Sequence, residues 1–187
     1  MTELDLQPRL AGRNLLLRPL EPEDWGALYG AASDPAIWAS HPAHDRWTEP
    51  VFRRFFADAL ESRGALVATL PGSGEIIGSS RYDARRVNAG ELEIGWTFLT
   101  RAYWGTGTNA EMKRLMVSHA LGFVDRVLFF VGEANLRSRR AMEKIGGELT
   151  TRTHETEMAG KPVRHVIYAI DRQAFDAGPL GKRSALR

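Results

Sequence analysis

The sequence predicts an α/β (α+β) fold, a mixed and mostly antiparallel central sheet of about seven strands flanked by about four helices. Three observations carry this expectation. Residues 92–147 read as strand, glycine turn, helix, strand and helix, which is one βαβ unit and therefore one parallel strand pair. Elsewhere, apolar strand-forming runs are separated by short turn-rich segments, as in antiparallel hairpins. With 187 residues, 43% of them hydrophobic and 26% charged, the chain can bury one substantial core. No repeat, low-complexity run or linker divides it. A single domain is expected over 1–187, with a core over about 13–175 and a flexible tail over 176–187.

Asn14–Leu20 is a short strand closed by Pro19. Glu21–Ser33 reads as a helix with Trp25, Leu28 and Tyr29 on one stripe, and Asp34-Pro35 ends it. Ala36–Trp47, rich in His and Pro, reads as an ordered loop. Thr48 is a plausible N-cap for a helix over Thr48–Ser62, where Val51, Phe52, Phe55, Phe56, Ala59 and Leu60 keep helical spacing. Leu66–Leu70 and Glu75–Tyr82 flank Pro71-Gly72-Ser73-Gly74, a hairpin signal, and Arg85–Gly90 turns the chain into a strand over Leu92–Leu99. A helix follows from about Asn109 to Phe123, its buried face assigned to Met112, Leu115, Met116, His119, Ala120 and Phe123. Arg126–Val131 is the next strand, and Asn135 is an N-cap candidate for the helix after it. Glu148–Met158 and Arg164–Asp171 form the last hairpin around Ala159-Gly160-Lys161-Pro162, and Gly178–Arg187 reads as a frayed end.

Composition excludes several chemistries. There is no cysteine, so disulfides, thiolate metal sites and an acyl-cysteine intermediate are absent, in keeping with a cytoplasmic protein. Met1–Arg13 is charged and lacks the apolar stretch of a signal peptide. No apolar run approaches the roughly 20 residues that span a bilayer, so no membrane association is expected. The five histidines show no paired ligand spacing, and no metal is expected. Net charge is +2; the basic clusters at Arg81/Arg85/Arg86, Arg137/Arg139/Arg140/Lys144 and Lys182/Arg183/Arg187 lack interleaved aromatics and read as solvated faces or phosphate contacts, not as a nucleic-acid footprint.

The glycine turn Trp104-Gly105-Thr106-Gly107-Thr108 is the most informative segment. A glycine-rich turn entering a helix presents unpaired N–H groups at the positive end of the helix dipole, which suits a diphosphate. Taken alone, the turn reads first as a tight strand-to-helix connection without a ligand. Gly105-x-Gly107-x-x-Ala110 formally matches the dinucleotide fingerprint, with Asp125 near the spacing of a ribose ligand, but Asp125 precedes the next strand and the flanking regions are hairpins. Gly181-Lys182-Arg183-Ser184 echoes a Walker lysine but has Asp176 at the first glycine position and no strand leading in, and no G-x-S-x-G occurs.

Glu93-Ile94-Gly95-Trp96, Arg101-x-x-Trp104-Gly105-Thr106-Gly107, Asn135-x-x-Ser138 and Glu143-Lys144-Ile145-Gly146-Gly147, in this order and spacing, resemble the GNAT N-acetyltransferases. The branch that the chain resembles is that of the ribosomal-protein N-terminal acetyltransferases (RimJ/RimL-like), over residues 13 to 175. The resemblance implies acetyl-CoA as donor, with no metal, and an amine acceptor, either a protein N-terminus or a small molecule; a homodimer is common among such proteins. It places the coenzyme pyrophosphate on the backbone of Gly105, Thr106, Gly107, Thr108 and Asn109. It also places the pantetheine arm and thioester oxygen on a splayed strand over Trp96, Thr97 and Phe98, and gives Asn135 a contact to the pantetheine amide.

Acetyl transfer requires a neutral amine, a polarised thioester carbonyl and a destination for the thiolate charge. A free lysine amine titrates near 10 and an α-amino group near 8, so a carboxylate within reach can serve as base. Strict alternation puts Leu92, Ile94, Trp96 and Phe98 on one strand face and Glu91, Glu93 and Thr97 on the other, with Gly95 a candidate bulge that opens the splay. Glu93 is the first choice of base; its alternative is a solvated carboxylate. Ser138 shares an inward stripe with Ala141, Met142 and Ile145 and is the candidate donor to the thiolate as well as a coenzyme contact. Its alternative is a serine bonded back to its own helix. Met142 stands where many relatives place a tyrosine, which keeps open a non-catalytic acyl-CoA-binding sensor; a dinucleotide-binding protein is the remaining alternative. Lys113 and Arg114 read as solvated or as contacts to the coenzyme 3′-phosphate. Trp38, His41, Tyr82 and His154, with His44 and Trp47, are candidates for the acceptor side.

Overall fold

The computed structural model describes residues 4–182. Eight strands form one sheet: β1 (Leu10–Ala11), β2 (Leu16–Pro19), β3 (Ala65–Thr69), β4 (Ile76–Asp83), β5 (Glu91–Leu99), β6 (Arg126–Gly132), β7 (Glu148–Met158) and β8 (Lys161–Asp171). Their spatial order is β1-β2-β3-β4-β5-β6-β8-β7. Every neighbouring pair is antiparallel except β5 and β6, which the βαβ unit makes parallel. The helices among the described residues are α1 (Trp25–Ala32), α2 (Pro35–Trp38), α3 (Glu49–Ser62), α4 (Thr108–Ala120), α5 (Leu136–Lys144), α6 (Arg172–Ala177) and α7 (Pro179–Lys182).

Helices cover both sheet faces, so the central strands are buried on both sides. On β3, Leu66 and Ala68 enter the core shared with α4 and α5, whereas Ala65 and Val67 enter the core shared with α1, α2 and α3. The first core gathers Met112, Met116 and Val117 of α4 with Leu92 and Ile94 of β5; the second gathers Phe52, Phe55 and Phe56 of α3 with Trp38. The pattern of α4 differs from expectation. Lys113 and Val117 are buried while Leu115 and His119 are only half-buried, and the helix stops at Ala120.

Two features of β5 prepare the site. It pairs with β6 only at Glu91–Arg126, Leu92–Val127 and Glu93–Leu128, while β6 continues against β8 as far as Gly132. From Ile94 onward β5 and β6 therefore diverge. The closed end is pinned by Glu91, whose Oε1 accepts from Arg126 Nε at 2.8 Å and Arg152 NH1 at 2.7 Å. On the other side, the β4–β5 register slips between Ser79 and Arg81, where Trp96 adopts φ 52°. This is a bulge next to Gly95, where the sequence places one. It flips the strand: Trp96 and Phe98 belong to the α1–α3 core, away from Leu92 and Ile94, and Thr97 turns toward α4. The strict alternation expected over Leu92–Phe98 is thereby corrected.

Other departures are local. Pro35–Trp38 is a short helix within the expected loop, opened by Asp34 Oδ1 accepting from Ala36 N. Thr48 precedes α3 as expected but donates its hydroxyl to Asp45 O instead of capping the helix. Within the expected tail over 176–187, α6 ends at Ala177, α7 follows, and Leu180 is 1% exposed in the first core. Arg183–Arg187, including part of the Walker-like echo, lies outside the described residues. No helix of the described residues is long and apolar enough to cross a membrane.

Candidate functional site

The turn 104–109 is built by local backbone chemistry. Gly105 (φ 74°) and Gly107 (φ 91°) occupy the left-handed region, where a side chain would add strain. Thr106 Oγ1 donates to Tyr103 O at 2.9 Å and lies 2.8 Å from Thr108 Oγ1, so both hydroxyls serve the turn itself. The N–H groups of Gly105, Thr106, Gly107, Asn109 and Ala110 find no acceptor among the described residues. They sit at the N-terminus of a helix of 13 residues, where the dipole favours an anion.

These amides open onto a cavity of about 660 Å³. Its floor is Thr97, Phe98 and Leu99 of the diverging strand; one wall is the turn, and another is Ser138, Ala141 and Ile145 of α5. Trp38 and His41 close the far end. The charged residues lining it are Arg137, Arg140 and Lys144, with no carboxylate among the described lining residues. Arg137 stacks its guanidinium 4.3 Å from the Trp104 ring and donates to Ile37 O at 3.0 Å, joining the two ends of the cleft.

Asn135 is 3% exposed and caps α5, its Oδ1 accepting from Ser138 N at 3.2 Å. Ser138 is thereby fixed at the cavity wall, and its hydroxyl has no hydrogen-bond partner among the described residues, so the back-bonded alternative does not hold. Met142 is buried in the core and donates nothing.

Glu93 is not a solvated carboxylate. It is 1% exposed and held by Arg86 at two points, Nε to Oε2 and NH2 to Oε1, each 2.6 Å. Burial pushes its pKa above the ordinary glutamate value, and Arg86 pulls it back. Arg86 itself lies 5.0 Å from the Trp96 ring and 4.4 Å from the Phe130 ring, at the outer rim of the splay. Glu93 is thus at the strand divergence but does not line the cavity.

The acceptor candidates separate. Trp38 lines the cavity, anchored by its indole N–H donating to Ala32 O at 2.8 Å. His41 also lines it; its Nδ1 accepts from Ala43 N at 2.9 Å, and burial beside Arg46, His165 and Arg137 pushes its pKa down to about 3, so it is a neutral donor through Nε2. Tyr82 does not reach the cleft. It is fully buried beneath α4 and donates to Met116 O at 2.8 Å, because β4 is covered on both faces. His154 stands opposite His165 in the β7–β8 ladder, against Phe130, and does not line the cavity. Trp96 likewise contributes its backbone to β5 while its ring stacks under Arg81 and Arg86 on the other sheet face.

One cation was misplaced by the sequence reading and another escaped it. Lys113, read from the sequence as solvated or as a phosphate contact, points inward, donates to Thr97 Oγ1 at 2.6 Å and is buried, so the solvated alternative does not hold. Arg46 is buried between Trp38 and Phe55, with burial and Arg81 lowering its pKa to about 10. An amphipathic pattern offers no signal for either, since cations are by default assigned to solvent.

The comparisons agree with this geometry. Residues 14–148 match the family model described as an acetyltransferase (GNAT) domain. No curated protein matches the sequence. Among solved structures, a GCN5-related N-acetyltransferase from Brucella melitensis superposes with a TM-score of 0.76 at 19% identity, covering 94% of this chain and 83% of that one. An acetyltransferase (GNAT family) from Bacillus anthracis gives 0.72 at 20% identity over 89% and 99%. Mycobacterium smegmatis RimJ in complex with CoA-disulfide gives 0.69 at 16% identity over 91% and 88%. At these identities the structures speak for the fold, in which only β5 and β6 run parallel, and the dinucleotide alternative is set aside. The family match spans most of the chain, and this protein belongs to the GNAT acetyltransferases, enzymes that use acetyl-CoA as co-substrate.

Proposed function

We propose that this protein transfers the acetyl group of acetyl-CoA directly to an amine within a ternary complex. The observation that carries this reading is that one cavity joins five acceptor-free amides at the 104–110 turn to the diverging strand β5. The first end fits a diphosphate; the second turns the β5 edge that β6 leaves unpaired toward a thioester carbonyl. Arg137, Arg140 and Lys144 supply the positive charge that a polyanionic coenzyme needs.

In this reading the β5 backbone polarises the carbonyl, and its amides are fixed before the oxyanion forms. Ser138, with a free hydroxyl on the cavity wall, donates to the departing thiolate. Because it stands behind the cavity lining, Glu93 accepts the acceptor's proton through water: burial raises its proton affinity and Arg86 opposes that rise. The acceptor is a protein N-terminus or a small-molecule amine, and a RimJ/RimL-like role is supported by the Glu93-Ile94-Gly95-Trp96 and Asn135-x-x-Ser138 motifs. Glu93→Gln and Ser138→Ala are each expected to lower kcat about 100-fold while leaving acetyl-CoA affinity intact. Wild-type turnover in both variants contradicts the assignments, and ping-pong kinetics contradicts direct transfer.

A second reading, an acyl-CoA sensor without turnover, is favoured by one observation: both oxygens of Glu93 are already engaged by Arg86. Thiol release across a panel of amines separates the two, since a sensor binds acetyl-CoA and releases no CoA.

A further inference from the structure

Lys113 has no part in the chemistry above, yet it stands directly behind Thr97, a residue of the cavity lining. It projects from the second turn of α4 into the wedge between β5 and β6 and is 2% exposed. Its Nζ donates to Thr97 Oγ1 at 2.6 Å and lies 5.2 Å from the centroid of Phe129 on β6. Of its three N–H groups, one has a protein acceptor among the described residues. A methionine would fill this volume without a charge to desolvate, so packing alone gives no reason for an ammonium here. The position does give one. Thr97 is the first residue after the bulge and lines the cavity where β5 has left β6. Because Thr97 Oγ1 accepts from Lys113, its own hydrogen goes to Ser80 Oγ, 2.8 Å away, or to Gly95 O at 3.4 Å, so the hydroxyl ties the ammonium to the β5 backbone at the bulge.

We propose that Lys113 is a positioning residue for acyl transfer, setting through Thr97 a positive charge behind the splayed strand, where the thioester oxygen becomes an oxyanion. The inference rests on the acetyl-transfer reading. In the step it assists, the acceptor nitrogen forms the C–N bond as the carbonyl π pair moves onto oxygen. When the C=O bond re-forms, the C–S bond breaks and sulfur leaves with its electron pair. Lys113 gains and loses no proton in either step; it lowers the energy of the anionic oxygen between them.

The surroundings make this charge dependent on pH. Burial pulls the Lys113 pKa down to about 7, with Glu93 of β5 raising it slightly. Ser80 of β4 touches it only through Thr97, β6 contributes the Phe129 ring, and its α4 neighbours Met112, Met116 and Val117 are apolar. The ammonium is therefore present below pH 7 and lost above it.

The test compares wild type, Lys113→Met and Thr97→Val for CoA release from acetyl-CoA between pH 6 and 9.5, with the peptide Ala-Ala-Ala and with spermidine as acceptors. The ratio of wild-type to variant kcat/KM cancels the acceptor's own titration. For Lys113→Met it is expected to be about 10- to 100-fold at pH 6 and to shrink toward one above pH 8, with that variant's acetyl-CoA Kd unchanged. Thr97→Val, which keeps the lysine, should show the same trend more weakly. A ratio that is constant across pH, as a merely structural role would give, or a ratio of one throughout overturns the inference while leaving acetyl transfer in place. If wild type binds acetyl-CoA and releases CoA with neither acceptor nor with the wider amine panel, the acetyl-transfer reading falls and takes the inference with it.

Discussion

Lys113 and Glu93 show how single residues depart from their default environment. Both are charged, nearly inaccessible and placed where β5 leaves β6. Glu93 has a bidentate partner in Arg86, whereas Lys113 has one hydroxyl and an aromatic ring. A buried charge so thinly supported lowers stability, because its desolvation is not offset by a partner charge. The sign with pH follows from linkage. The folded-state pKa of Lys113 is about 7, far below 10.5 for the free side chain, so between these values the unfolded chain holds the proton that the fold has shed, and stability rises with pH. Lys113→Met should therefore resist urea better than wild type at pH 6, with the gain narrowing toward pH 10. A Lys113→Met variant equally stable at both ends, or less stable at pH 6, contradicts the assignment of a buried ammonium. Stability gained while activity is lost is the pattern expected of a functional charge.

The elements were legible to different degrees, and the reasons are physical. The hairpins around Pro71–Gly74 and Ala159–Gly160 and the βαβ unit announced themselves through local turn chemistry and periodicity. The same locality made Asn135 readable as the cap of α5. The bulge at Trp96 was not readable in its consequence. A non-glycine residue at φ 52° is stabilised here by stacking its ring under Arg81 and Arg86, and that single inserted residue reverses the facing of Thr97 and Phe98. Tyr82 and Lys113 were misplaced for a related reason: which face of a doubly covered strand or helix is buried depends on elements distant in sequence. The glycine turn, by contrast, is a local device and can be tested locally. A Cβ on Gly105 meets no heavy atom within 4 Å, so Gly105→Ala adds only backbone strain, about 1 kcal/mol. It should leave the fold intact and weaken acetyl-CoA binding about tenfold, because the amides it re-aims are the diphosphate donors. Unchanged affinity, measured by calorimetry, speaks against a phosphate role for this turn.

Across the whole molecule, the sheet is closed at one end of β5 and open at the other. Glu91 binds Arg126 of β6 and Arg152 of β7 at the closed end, while the bulge against β4 bends β5 away from β6 at the open end. The two helices that follow these strands, α4 and α5, deliver free amides and a free hydroxyl to the opening, and the α1–α3 layer seals its far side with Trp38 and His41. Positive charge lines the mouth and neutral groups line the depth, an arrangement matched to a polyanionic carrier with a neutral acyl end. The measurement that tests this most directly is a crystal structure with acetyl-CoA bound. The account predicts the diphosphate within hydrogen-bond distance of the amides of residues 105–110, and the thioester between Thr97 and Ser138. A coenzyme seated elsewhere, or phosphates that leave those amides without a partner, would contradict it.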